Sequence, residues 1–526
     1  MKSKDRKYII TFDLGTSGPK VSLFTDKGVY IAHEFEPNSV QILPGGGAEQ
    51  NPDEWWECIC KACKRLLHTT GITSDEILVV SCTAQWSGTV AVNREGNHIH
   101  PAVIWMDSRG AKYISKMMDG PMKVQGYSAI KAIRWLNLTA GAPGLAGKDP
   151  LAHILFLKNE KPDIYKQTFK FLEVVDYLNL KLTGKFSASH DSITLHWVTD
   201  NRNIRNIRYS RELIRLSGID ADKLPELIPT NTVLGNLSQS AAEATGLDTG
   251  TAVITGCGDL HSAAVGSGAV RDFEAHYYIG TSSWLVCHLP FRKQDIAHNM
   301  TTLPAAIPGR YILANEQETA GACIQYLRDN IFFTKDILSP DGPPVDFYDK
   351  MNQLAAEVPA GSGGLLFIPR LYGERSPVED HHTRGAFFNL SLEHNRSHMI
   401  RAVMEGVCMN GRWLLGFVEK NAGKPFAHIN MIGGGAKSDI WCQIAADVFN
   451  RPIRQMNNPI MANSQGAAFL GALAMKRITV EDIQQYASVK MEYTPIPENV
   501  RVYDKLYKEF THFYQANKKS FHRLNT

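Results

Sequence analysis

A six-residue pattern occurs twice in this 526-residue chain: Phe12-Asp-Leu-Gly-Thr-Ser17 reappears near the middle as Tyr278-Ile-Gly-Thr-Ser-Ser283. Both copies follow an apolar run with strand character (8–11 and 276–278) and lead into another (21–24 and 284–286), so each reads as a β-hairpin with a Gly-Thr-Ser turn. A chain that builds the same hairpin twice is constrained to two related halves. Glycine lets the backbone approach a bulky anion, and the Thr and Ser hydroxyls and turn N–H groups are donors for phosphate oxygens. Two such turns facing one another would hold a nucleotide's phosphates between two domains, which makes Thr16, Ser17, Gly280 and Thr281 candidates for the cradle. Asp13 is the asymmetric element, because the second copy has an uncharged residue in its place. A carboxylate beside a phosphate is repulsive unless a cation lies between them, so Asp13 implies a Mg²⁺ site, direct or through water.

Length and composition set the outer limits. The chain is long enough for two full cores, and its apolar and charged fractions are those of an ordinary globular protein. A formal net charge of +3 without a long Lys/Arg block gives no support for nucleic-acid or membrane-surface binding, and no stretch reaches the roughly 18 apolar residues that span a bilayer. Small molecules are the expected partners; monomer and homodimer are both left open. The charged start, Met1 to Lys7, enters a strand too short for a signal peptide, and nine cysteines, an odd number, fit a reducing cytoplasm. Cys58, Cys60 and Cys63 sit on a segment with helix-start chemistry (Asn51, Pro52, Asp53, Glu54), where packing is the favoured reading over metal binding.

Strand and helix segments alternate throughout, which argues for an α/β architecture. Expected strands include 77–82, 89–92, 252–255, 365–368 and 428–432; expected helices run through 52–67, 397–421, 438–449 and 502–517. The strand ending at Thr255 opens into Gly256-Cys-Gly-Asp259 and a small-residue stretch, and the domain boundary is placed there: residues 1–262, 263–485, and a C-terminal helical segment 486–526. There is no P-loop and no complete Gly-x-Gly-x-x-Gly after a strand. A third glycine cluster, Gly433-Gly434-Gly435, follows a strand and precedes a helix that Ser438 or Asp439 can cap, a place where N–H groups converge on an anion or a base.

The ordered set Asp13-Leu-Gly-Thr-Ser, Glu49-Gln-Asn-Pro with Trp55-Trp56, Trp105-Met-Asp-Ser-Arg109, Gly258-Asp259, Gly280-Thr-Ser, Gly373-Glu-Arg-Ser-Pro377, Arg384-Gly-Ala, Glu405-Gly and Gly433-Gly-Gly-Ala resembles the FGGY carbohydrate-kinase family over nearly the whole chain, most of all its xylulokinase branch. The resemblance implies a duplicated actin-like, ribonuclease-H-like α/β fold with two domains around a central cleft. It implies transfer of the γ-phosphate of ATP to a sugar hydroxyl with Mg²⁺, D-xylulose being the expected acceptor. Asp259 matches the catalytic aspartate, which would accept the hydroxyl proton. Gly434, Gly435 and Ser438 match the adenosine motif; Gln85, Trp86 and Ser87 align with the sugar-contacting turn; Trp105 and Asp107 are further substrate candidates, Asp107 alternatively pairing with Arg109.

Two departures stand in the sugar pocket. Xylulokinases resemble one another in carrying Met-His-Gly where this chain has Trp86-Ser87-Gly88, and Leu260 replaces the usual polar residue after the catalytic aspartate. His261 resembles a ribulokinase feature and keeps that substrate open; it reads equally as a partner holding Asp259 or as a helix-start residue. Glu374 and Arg375 read as an ion pair closing the cleft. The small-residue run 464–474 resembles the family's hinge helix. The rival readings are a non-catalytic sugar sensor and an actin-like or chaperone ATPase.

Overall fold

The computed structural model describes residues 7–337 and 339–525, so the charged start, residues 1–6, lies outside the described residues. The first repeat forms as read. β1 (Tyr8–Gly15) and β2 (Gly18–Thr25) pair antiparallel with Gly15 opposite Gly18, leaving Thr16 and Ser17 as the turn. β3 (Tyr30–Phe35) extends the hairpin, and β4 (Ile77–Ala84) lies parallel to β1. With β5 (Val233–Asn236), β6 (Ala252–Ile254) and β7 (Cys257–Gly258) the sheet has seven strands, ordered β5-β6-β4-β1-β2-β3 with β7 also on β4. Every residue of β4 is buried. A continuous apolar run of this kind marks a strand covered on both faces.

The second sheet repeats this plan. β8 (Ala275–Ile279) and β9 (Ser283–Leu289) form the second hairpin. At one edge are β10 (Gln294–Asp295), β11 (Met300–Pro304) and β12 (Tyr311–Ala314); on the other side β13 (Ile429–Ile432) runs parallel to β8, followed by β14 (Ile453–Met456) and β15 (Val489–Tyr493). In each half an antiparallel hairpin continues into parallel strands, β1-β4-β6 in the first and β8-β13-β14 in the second. The segment 486–526, expected to be helical, also supplies β15, because the alternation Val489 to Tyr493 closes the open edge of β14.

Helices cover the sheets. α1 (Pro52–Thr70) is capped by Asn51, whose side chain accepts from Asp53 N–H, and it buries Trp55, Ile59, Cys63 and Leu66. α2 (Asp259–Gly266) begins at Asp259. α3 (Gly321–Leu327), α4 (Arg396–Ala422) and α5 (Asp439–Phe449, capped by Ser438) belong to the second half, with α6 (Ala462–Ala474) and the terminal α7 (Pro497–Leu524). No helix among the described residues is long and apolar enough to cross a membrane.

The halves meet where α2 crosses α6. A Cβ on Gly266 would stand 1.8 Å from the Ala462 carbonyl oxygen, and one on Gly466 would stand 1.8 Å from that of Ser262. These reciprocal contacts are symmetric: α2 follows β6 as α6 follows β14. Gly471 of α6 rests on Ile9, Val79 and Ser81 of the first sheet. Conversely, the loop after α2 reaches the second sheet, Asn430 donating to the Ser267 carbonyl and the His288 ring facing that of Ala269. The expected division at 262/263 therefore cuts through α2, and α6 packs on the sheet of the other half. A helix that crosses to the other half's sheet leaves no composition shift in the sequence, since α6, like α2, is simply small and apolar.

Backbone at this separation has no room for a methyl group. Gly466→Ala is expected to lower the unfolding free energy by about 2 kcal/mol or more, within the range of overpacked cores. Equilibrium denaturation of the two proteins measures it, and an unchanged midpoint would show that the crossing relaxes freely.

Candidate active site

The C-terminal ends of β1 and β4 and the start of α2 converge on the cleft between the halves. A cavity of about 230 Å³ opens there, lined by Asp13, Gly15 and Lys20 from the first hairpin, Tyr278 from the second, Gly433 and Gly434, Pro459 and Ile460 before α6, and Asn463 in its first turn. Asp13 is largely buried. Its Oδ2 accepts a hydrogen bond of 3.0 Å from the Ser464 hydroxyl on α6, and the Lys20 ammonium stands 3.6 Å away. The hinge helix thus fixes the carboxylate that belongs to the opposite half, a contact the sequence does not announce.

Asp259 occupies the first turn of α2, where helix N–H groups favour a negative charge. Its Oδ1 accepts from Leu260 N–H at 2.8 Å. Burial in the cleft pushes its carboxyl up to about 7, with the neighbouring carboxylates of Asp13 and Glu316 adding to the rise. A carboxylate poised near neutrality is well matched to accepting a proton from an alcohol. Trp86 packs against Gly258, where a Cβ would come within 2.7 Å of the indole, and meets His261 edge-on at 4.6 Å between centroids. The indole therefore packs beside the turn that carries Asp259.

The two turns differ in what they have free. The first is fastened inward: Trp105 Nε1 donates to Thr16 Oγ1 at 2.9 Å, Thr16 Oγ1 donates to Gln85 Oε1, and Gln85 Nε2 donates to Gln50 Oε1. The hydroxyl of Thr16 and the amide of Gln85, expected at phosphate and sugar, are therefore used to brace the turn against the neighbouring loop. Ser17 is exposed at the tip. In the second turn the carbonyls of Gly280 and Thr281 accept from Gly321 and Ala320, at the start of α3, while Thr281 is exposed and its own N–H and hydroxyl have no acceptor among the described residues. The second turn has the more open set of donors.

Several further expectations are corrected by geometry. Asp107 is fully buried, accepting from Ala48 N–H, Arg109 N–H and the Arg109 guanidinium, so it orders its loop and does not face the cleft. Gly434 lines the cavity, but Gly435 is buried against Ile279. Ser438 caps α5 by accepting from Trp441 N–H and donates to Asn352, so its hydroxyl is already engaged. His261 faces the Pro304 carbonyl at 3.0 Å across the domain contact and does not hold Asp259. Glu374 and Arg375 do not pair with each other. The buried Glu374 carboxylate accepts from the backbone N–H groups of Glu318 and Arg375 and from the Asn410 amide, while the Arg375 guanidinium pairs with Glu316 and Glu318. Ser87 sits at φ +71° and donates to the Lys148 carbonyl, which brings Lys148 to the sugar turn; burial, with Arg375 nearby, pulls the Lys148 ammonium below its usual range.

Lys20, Tyr278, Glu316, Lys148 and Ser464 were not read as site residues. For Tyr278 a signal existed, since it stands where the repeat carries Asp13. The others come together only through the chain's fold. Hard oxygen donors, Asp13 foremost, suit a divalent cation such as Mg²⁺. Among the described residues no group of three or more His, Cys, Asp or Glu is arranged to hold an ion.

Comparison with known proteins gives the family. Residues 8–266 match the N-terminal domain, and residues 275–475 the C-terminal domain, of the FGGY family of carbohydrate kinases. The chain is 25% identical to a gluconokinase of Bacillus subtilis over 95% of its own length and 94% of that protein's. It is 27% identical to a xylulose kinase of Staphylococcus epidermidis, over 98% and 97%. It superposes on the ligand-bound xylulose kinase of Lactobacillus acidophilus with a TM-score of 0.84 at 25% identity, covering 98% of this chain and all (100%) of the other.

With Asp259 raised to about 7, kcat/KM is expected to climb with unit slope as pH approaches 7 and to level off above it, because this ratio titrates the free enzyme and only the carboxylate accepts a proton. An acid limb centred near pH 4, an ordinary carboxylate value, would contradict the raised state.

Proposed function

This chain belongs to the FGGY family of carbohydrate kinases, and on that footing we propose that it transfers the γ-phosphate of Mg·ATP to a hydroxyl of a ketopentose, D-xylulose to D-xylulose 5-phosphate, with Asp259 as the general base. The observation that supports the reading is the placement of Asp259, a carboxyl near neutrality at the head of α2, with Asp13 of the first hairpin and Tyr278 of the second among its charged and polar neighbours. When bound, Mg²⁺ would neutralise phosphate charge, and Asp13 is the residue to hold it. Thr281 and the turn N–H groups would bind phosphate oxygens, while Gly434 would leave the cavity wall flat for the nucleoside. Asp259 would take the acceptor's proton as the new P–O bond forms and the bond to the leaving ADP breaks. Phosphoryl transfer depends mainly on positioning and charge neutralisation, and the cleft provides both. Closure about the hinge would exclude water and limit hydrolysis of ATP.

A sugar acid is the second reading. Lys148, beside the sugar turn, makes no hydrogen bond or ion pair among the described residues, and an ammonium so placed matches a substrate carboxylate. The relatives include both xylulose kinases and gluconokinases.

Turnover of D-xylulose, D-ribulose, L-ribulose, glycerol and D-gluconate, measured as sugar-dependent ADP release, separates these readings. Stimulation by D-xylulose above the others is expected; stimulation by D-gluconate alone would transfer the assignment to the sugar acid. Asp259→Asn should still bind nucleotide and sugar yet lose at least about 100-fold in kcat. Near-normal turnover would remove Asp259 from the base role.

A further inference from the structure

Tyr278 holds in the second hairpin the place that Asp13 holds in the first, two residues before the turn glycine on the central strand of its sheet. Its ring is fixed. It lies opposite Trp284 in the β8–β9 ladder and stacks on it with centroids 3.9 Å apart and planes at 8°. The indole is held in turn by a 2.9 Å hydrogen bond from its N–H to Nε2 of the buried His276. The hydroxyl reaches the turn itself: it stands 2.2 Å from where a Cβ on Gly280 would be. This explains why glycine is required there, since any side chain would displace the phenol.

That hydroxyl has no hydrogen-bond partner among the described residues, and Tyr278 lines the cavity opposite Asp13 and beside Gly434. The Lys20 ammonium lines the same cavity beside Asp13. Burial, and after it the carboxylates of Asp259, Asp13 and Glu316, raise the phenol to about 12. It therefore stays protonated and can only donate toward an anion. A wall of carboxylates repels a phosphate group, so an uncharged donor anchored among them has a specific use. Thr281 presents its free N–H and hydroxyl from the same turn.

We propose that the Tyr278 hydroxyl donates a hydrogen bond to an oxygen of the phosphoryl group being transferred, making it a catalytic residue contributed by the second hairpin at the position where the first supplies Asp13. The proposal rests on the kinase reading but not on which sugar is the acceptor. The proton remains on the phenol throughout; the hydrogen bond strengthens as charge on the equatorial oxygens is redistributed in the transition state. The ring stack is not required to move.

Tyr278→Phe removes only the hydroxyl and keeps the stack, so its melting temperature should match that of the parent. Calorimetric titration with Mg²⁺ and either ADP or a non-hydrolysable ATP analogue separates a contact to the terminal phosphate from contacts to the rest of the nucleotide. The expected result is a loss of about tenfold or more in affinity for the analogue, with ADP changed by less than about twofold, as for a hydrogen bond to a charged group. A matching fall in kcat, with KM for the sugar unchanged, should accompany it. Equal weakening of ADP and analogue, or no weakening of either, would overturn the proposal. Because the titration needs no sugar, it reads the Tyr278 contact even if every acceptor tested proves wrong.

Discussion

Gly266 and Gly466 allow two helices to touch backbone to backbone, and the rest of the molecule is arranged around that contact. α2 starts with the candidate base Asp259, and α6 starts from the loop that lines the cavity and carries Ser464 to Asp13. A wider crossing would separate Asp13 from its hydroxyl partner and move Asp259 away from the phosphate turns together. α6 packs on the first sheet while the loop after α2 touches the second, so the halves are joined closely at this crossing. Rigid halves joined at such a crossing suit a kinase, whose chemistry depends on bringing two bound molecules into line and keeping water out.

The charge distribution in the cleft follows from its task. Burial, with the carboxylates of Asp13 and Glu316 adding to it, raises Asp259 toward neutrality, and in the proposed reaction a bound cation would offset part of that charge. Lys20 from one hairpin and Tyr278 from the other face this acidic floor. The repeat is thus symmetric in backbone and asymmetric in chemistry. One copy presents a carboxylate, which the proposed reaction gives to a cation, and the other a neutral hydroxyl, which it gives to a phosphate oxygen.

Much of this was legible in the chain. The duplicated hairpin, the α/β order, the cap at Asn51, Asp259 at a strand-to-helix turn and Gly434 at the cavity follow from local patterns, and local patterns are what sequence displays. What escaped depends on long-range contact. Thr16, Gln85 and Asp107 have the residue types of a binding site, but their polar atoms are consumed by Trp105, Gln50 and Arg109, and nothing in a residue's identity tells which partner it will meet. Lys148 reaches the sugar turn through a bond from Ser87 that spans 61 residues. The packing of α6 on the first sheet was equally hidden, since a small apolar helix packs as well on one sheet as on the other.

The central claim is that phosphate leaves ATP for a sugar hydroxyl and not for water. Phosphorus-31 NMR of the complete reaction, with Mg·ATP and a stimulating sugar, observes this directly. Growth of a sugar phosphomonoester resonance, split by coupling to the protons of the esterified carbon and rising in step with ADP, is the predicted result. Growth of inorganic phosphate alone, at the same rate with and without sugar, would contradict it and leave an ATPase in its place.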